Sequence, residues 1–149
     1  MTTTPNGPAQ ATGVRRRSRE MALQLLFQTE FMGGFKPEQA RGMLRRFVDD
    51  FKVEHDVADY GGDLFMGVTE RLKDIDAIIQ SHSAHWKVSR MGLVDLSVMR
   101  VCVYEMRFLS PPLAPNIAIN EAVEVAKKFG STESGSFVNG ILDHVARTT

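Results

Sequence analysis

Residues 93–109, "LVDLSVMRVCVYEMRFL", are apolar almost all the way round a helical wheel. A helix without a polar face has to be enclosed by others, so this stretch predicts a central buried helix with a helical shell about it. It is stopped by "SPPLAP" at 110–115, because three prolines in six residues cannot continue a helix. The 149 residues are 43% hydrophobic, enough to fill one core, and one compact domain is expected.

The rest of the chain supplies the shell. Residues 18–32 form a first helix, with Met21, Leu25 and Met32 on one side and Leu23, Phe27 and Phe31 on another. Pro37 suits the first position of a second helix, whose apolar stripe is Ala40, Leu44, Phe47 and Phe51. Tyr60, Leu64, Val68, Leu72, Ile75 and Ile79 continue the rhythm as a third segment, and Gly61, Gly62 and Gly67 in it permit close helix packing. The pattern pauses at "KVSRMG", which reads as a turn between two halves. "NIAINEAVEVAKKFG" has Asn116 as a cap, Lys127 and Lys128 at the end and Gly130 as the stop. A last helix carries Phe137, Val138, Ile141, Leu142 and Val145 on one face. No alternating strand pattern runs for more than a few residues, so the fold class is all-α.

Residues 1–13, "MTTTPNGPAQATG", have no apolar run and read as a disordered leader without the apolar region of a secretory signal. Nothing approaches the ~20 uninterrupted apolar residues of a membrane helix. A soluble, cytoplasmic chain without membrane contact is the expectation.

Few residues offer catalysis. Cys102 is the single cysteine, which excludes an internal disulfide and any multi-thiolate metal site; in "MRVCVYEM" it reads as core. His82 and His85 form an H-x-x-H pair with no third ligand nearby, while His55 and His144 stand alone. "GSTESGS" lacks the Lys-Ser/Thr ending and preceding strand of a phosphate loop, and reads as a Ser/Thr-rich helix start. Trp86 and Tyr104 lie among apolar residues and are expected in the core. These residues make no case for an enzyme and call for no cofactor or metal.

What remains is charge. The formal net charge is +0, yet Arg15, Arg16, Arg17 and Arg19 crowd into "RRRSRE" just before the first predicted helical apolar run. Cations at a helix start oppose the local dipole, although only by a fraction of a kcal/mol each. A polyanion would turn that cost into attraction, since guanidinium forks match phosphate oxygens. The plainer reading is a solvated helix entrance, because arginine is a good helix former.

"RRRSREMALQLLFQ", "VDLSVMRVCVYEM" and "NIAINEAVEVAKKFGSTESGSFVNGILD", in this order, resemble the NusB family of bacterial transcription antitermination factors. The likeness spans nearly everything after the leader. It implies about seven helices in two small packed bundles, over about 14–85 and 86–149 within one domain of 14–149. It further implies binding of single-stranded boxA RNA of ribosomal RNA transcripts, together with the small-subunit ribosomal protein NusE, within the RNA polymerase antitermination complex.

Position by position, the resemblance assigns Arg15, Arg16, Arg17, Arg19, Gln24, Lys127, Lys128, Phe129 and Glu133 to the RNA interface, and Asp95 to the ribosomal-protein contact. Position 27 is Phe where relatives commonly carry Tyr, and "KVSRMG" lacks acidic residues that some relatives have. Three other readings stand beside this one. Exposed apolar positions could serve a homodimer, the whole could be a protein-binding scaffold with solvated arginines, and similar helical domains accompany RNA cytosine methyltransferases. For the last there is no room for a catalytic domain in this sequence.

Overall fold

The computed structural model describes residues 8–148. Seven α-helices and one short 3-10 turn make up these residues, with no strand among them. They are α1 (Pro8–Phe31), α2 (Pro37–Phe51), α3 (His55–Glu70), α4 (Leu72–Ser81), α5 (Leu93–Arg107), α6 (Pro115–Phe129) and α7 (Ser134–Arg147), with the 3-10 turn at Val88–Arg90.

The "LVDLSVMRVCVYEMRFL" stretch is α5, and it occupies the centre, packed by α1, α3, α4, α6 and α7. Its run from Leu96 to Val103 is buried without interruption. α1 lies along α3, while α6 and α7 pair on the other side of α5. α4 packs chiefly on α5 and also touches α7 and α3.

The glycines of α3 make the close approaches possible. A Cβ at Gly61 would stand 3.0 Å from the Ser18 carbonyl oxygen on α1. At Gly67 it would fall 2.1 Å from the Tyr104 ring of α5. Gly67→Ala should therefore cost about 1–3 kcal/mol by overpacking despite alanine's better helix propensity. Urea unfolding would show this, and pairing the change with Tyr104→Leu should recover part of the loss.

Several expectations need correction. The first helix starts at Pro8 rather than near residue 18, so residues 8–13 of the expected disordered leader are helical. Proline has no N–H to leave unpaired at a helix start, and Ala9, Gln10 and Ala11 favour continuation. Residues 1–7 of that leader lie outside the described residues. The third segment is two helices, because the backbone leaves helical geometry at Arg71 (φ −117°, ψ 24°) and α4 turns onto α5. α6 begins with Pro115 at its first turn, and Asn116 makes no cap. Trp86 is 57% exposed, standing edge-on to Phe137, because the chain between α4 and α5 runs over the surface.

His82 and His85 do not share a helical face, since α4 ends at Ser81. His82 instead places Nδ1 2.8 Å from His144 Nδ1. Partial burial, then the neighbouring His144 and Arg107, hold its pKa below the ordinary histidine value. Among the described residues no group of three or more His, Cys, Asp or Glu could hold a metal. Cys102 is buried, and burial pushes its thiol pKa well up.

Candidate nucleic-acid interface

Because α1 begins at Pro8, the arginines sit about two turns inside the helix, beyond the first turn where the dipole acts. Their helical positions then divide them. Arg15 and Arg17 are exposed, Arg16 is half-buried, and Arg19 lies on the buried face with Ser18 and Ala22.

Arg15 sets its guanidinium carbon 3.8 Å from the centroid of the Tyr60 ring, a cation–π stack onto α3. Arg17 pairs with Glu54, the residue that opens α3. Arg16 reaches the other way, to α6, where Nε and Nη2 each lie 2.9 Å from a Glu121 oxygen. The hydrogen bonds from Arg16, aided by the fields of Arg16 and Arg19, hold the Glu121 carboxyl below its ordinary pKa against the opposing effect of burial.

Arg19 is only 7% exposed. Its Nε donates to both Glu105 oxygens at 3.1 and 3.0 Å, and Nη1 reaches Glu121 at 3.4 Å. The Tyr60 hydroxyl donates to the same Glu105 carboxylate. Burial alone would weaken the Arg19 charge, but the hydrogen bonds and field of Glu105 outweigh it and raise its pKa. The Arg19 guanidinium is committed to the interior, where it ties α1 to α5.

The end of α6 comes alongside. Lys128 Nζ stands 3.1 Å from Glu20 Oε2 of α1 and 5.3 Å from the centroid of the Phe129 ring. This ion pair joins α1 to the closing turn of α6, and Arg16–Glu121 joins it to the middle of that helix. Lys127, Lys128, Phe129 and Glu133 are all exposed there. On α1, Gln24 is exposed next to Phe27, and Phe31 is 77% exposed, with the two phenyl rings 6.4 Å apart and nearly parallel. Cations, an amide and aromatic rings of α1 and the end of α6 make up a strip, with Arg15 and Arg17 on its α3 side. Asp95, partly exposed in the first turn of α5, makes no hydrogen bond or ion pair with the strip.

Arg100 is the second buried arginine of the molecule. Two 2.8 Å hydrogen bonds link it to Asp76, and a third at 3.0 Å links it to Glu30. The sequence reading passed over Arg100, Glu105 and the carboxylates facing the strip. Arg100 and Glu105 did leave a signal, as charges inside an otherwise apolar helix must be paired.

A sequence model described as the NusB family matches residues 16–147. The chain is 47% identical over 135 residues to the transcription antitermination protein NusB of Bdellovibrio bacteriovorus, covering 89% of this chain and 95% of that protein. The chain belongs to the NusB family. The NusB protein of Geobacter sulfurreducens is 40% identical over 137 residues, covering 91% and 96% of the two chains. The solved T. maritima NusB structure is 32% identical, with a TM-score of 0.77 over 98% of this chain and 93% of that one. A crystal structure of antitermination factors NusB and NusE in complex with double-stranded RNA shares the fold, with a TM-score of 0.78 and 23% identity over 91% of this chain and 98% of that one. The NusB family match takes in both sides of the strip, Arg16 to Gln24 and Lys127 to Glu133. No helix among the described residues is long and apolar enough to cross a membrane.

Proposed function

We propose that this chain is a transcription antitermination factor that binds single-stranded boxA RNA of ribosomal RNA transcripts together with the ribosomal protein NusE. The observation that carries the reading is the strip itself, in which Lys128–Glu20 and Arg16–Glu121 join α1 to α6. Arg15, Arg17, Lys127 and Lys128 take the phosphates, while Gln24 addresses base edges. Phe129, with Phe27 and Phe31 beside the strip, offers faces for unstacked bases. Glu133 borders the strip and disfavours phosphate at that edge. Asp95 belongs to the surface for the ribosomal protein. The work is binding in the cytoplasm, within the RNA polymerase antitermination complex, and no substrate is converted.

The test is a fluorescence titration of labelled boxA RNA and a base-scrambled control, each with and without NusE. Tighter binding of boxA in the presence of NusE is expected, by roughly 5–150-fold, the usual range of coupling between two sites. Equal, weak binding of both RNAs with NusE still bound would favour a protein-interaction scaffold. The exposed Phe31, Met32 and Phe51 are the observation on that side.

A further inference from the structure

The cations of the strip are already occupied. Arg17 is on Glu54, Lys128 on Glu20, Arg16 on Glu121, and Lys127 lies 3.7 Å from Glu124. Arg15 faces a tyrosine ring instead of a carboxylate. The strip is therefore close to electrically neutral, which weakens its long-range attraction for any polyanion. Each carboxylate presents anionic oxygens to the donors that an RNA phosphate would need.

These pairs are not equivalent. Glu121 has a side chain only 13% exposed, receives two hydrogen bonds from Arg16 and is also approached by Arg19. Displacing it would strand a desolvated charge, so it belongs to the framework. The Arg17–Glu54 pair is open to water, with side chains 51% and 67% exposed, and such pairs separate at little cost. In the Lys128–Glu20 pair the carboxylate is sheltered but the lysine is 60% exposed on a flexible stem, so the lysine is the partner that can swing away.

We propose that Glu20 and Glu54 are affinity-setting residues: their carboxylates stand in for phosphate on Lys128 and Arg17, so RNA must displace them and the strip alone grips RNA weakly. The proposal rests on the RNA-binding reading of the strip. It gives that reading a reason for a partner, since contacts supplied by a second protein offset the exchange of carboxylate for phosphate. Glu133 has no cation on it among the described residues, so its influence is repulsion alone and does not belong to this device.

The experiment titrates boxA RNA without NusE against the whole chain carrying Glu20→Gln, Glu54→Gln or both. Asp49→Asn on α2, an exposed acid with no ion pair among the described residues, makes the same change in net charge as either single variant and serves as the control. Each glutamine variant should bind up to about fivefold tighter and the double variant about tenfold, with the control unchanged. The gain from Glu54→Gln should vanish when Arg17→Gln is added, and that from Glu20→Gln when Lys128→Gln is added. No gain, a gain matched by Asp49→Asn, or a gain that survives loss of the partner cation would overturn the proposal. In each of those cases a wild-type chain that still binds boxA with NusE leaves the RNA reading standing. Absence of any boxA binding by wild type with NusE would overturn both.

Discussion

Replacing Glu105 by alanine should lower the unfolding free energy by about 3–5 kcal/mol, the usual cost of breaking a buried ion pair from one side. Glu105 is 1% exposed and accepts from the Arg19 guanidinium and the Tyr60 hydroxyl. Its removal leaves Arg19 desolvated, with the 3.4 Å approach of Glu121 as the remaining carboxylate contact. Replacing Arg19 and Glu105 together by leucine should recover much of the loss, because no lone charge stays inside. Urea denaturation of both variants measures the difference. A loss below about 1 kcal/mol for Glu105→Ala would mean that Arg19 finds water, contrary to its buried position.

Neutralising the exposed cations should do the opposite. A variant with Arg15→Gln, Arg17→Gln and Lys128→Gln should keep its thermal stability, since solvent-facing pairs contribute about 0–1 kcal/mol each. Its boxA affinity in the presence of NusE should fall on the order of a hundredfold at low salt, from the loss of three charge-assisted phosphate contacts. The slope of log affinity against log salt should become shallower by about 2 if three single-strand phosphates lose their cations. Arg19→Gln should leave that slope alone and cost stability instead. Arg15 and Arg17 thus separate from Arg19 by a pair of simple measurements. An unchanged slope in the triple variant would remove the phosphate role from Arg15, Arg17 and Lys128.

That separation was only partly legible in the sequence. α5 announced itself because an all-round apolar helix has one place to go, and α6 because its closing lysines and Gly130 agree with its dipole. The start of α1 was hidden, since Ala9, Gln10 and Ala11 between Pro8 and Gly13 have no apolar periodicity to display. Arg19 stands three residues before Ala22 and seven before Leu26, both fully buried, so helical spacing alone could have put it on the inner face. Its partner could not be found that way, because Glu105 lies 86 positions further on. The carboxylates on the strip escaped for the same reason: Glu54, Glu121 and Lys128–Glu20 are matches between distant segments, and periodicity describes one segment at a time.

The two charges carried by α5 bear on how the bundle chooses a single arrangement. Apolar stripes are forgiving, and helices that meet through leucine, valine and methionine can slide by a turn with little change in buried area. Here α1 brings Arg19 to Glu105 and Glu30 to Arg100, opposite signs at two levels of the same contact. Sliding α1 by one turn would part Arg19 from Glu105 and Glu30 from Arg100, and reversing it would bring like against like. The buried pairs work as a two-digit combination lock, and the outer face of α1 is fixed in depth and rotation by the same lock. Leucines in their place would hold the helices together without telling them where to stop.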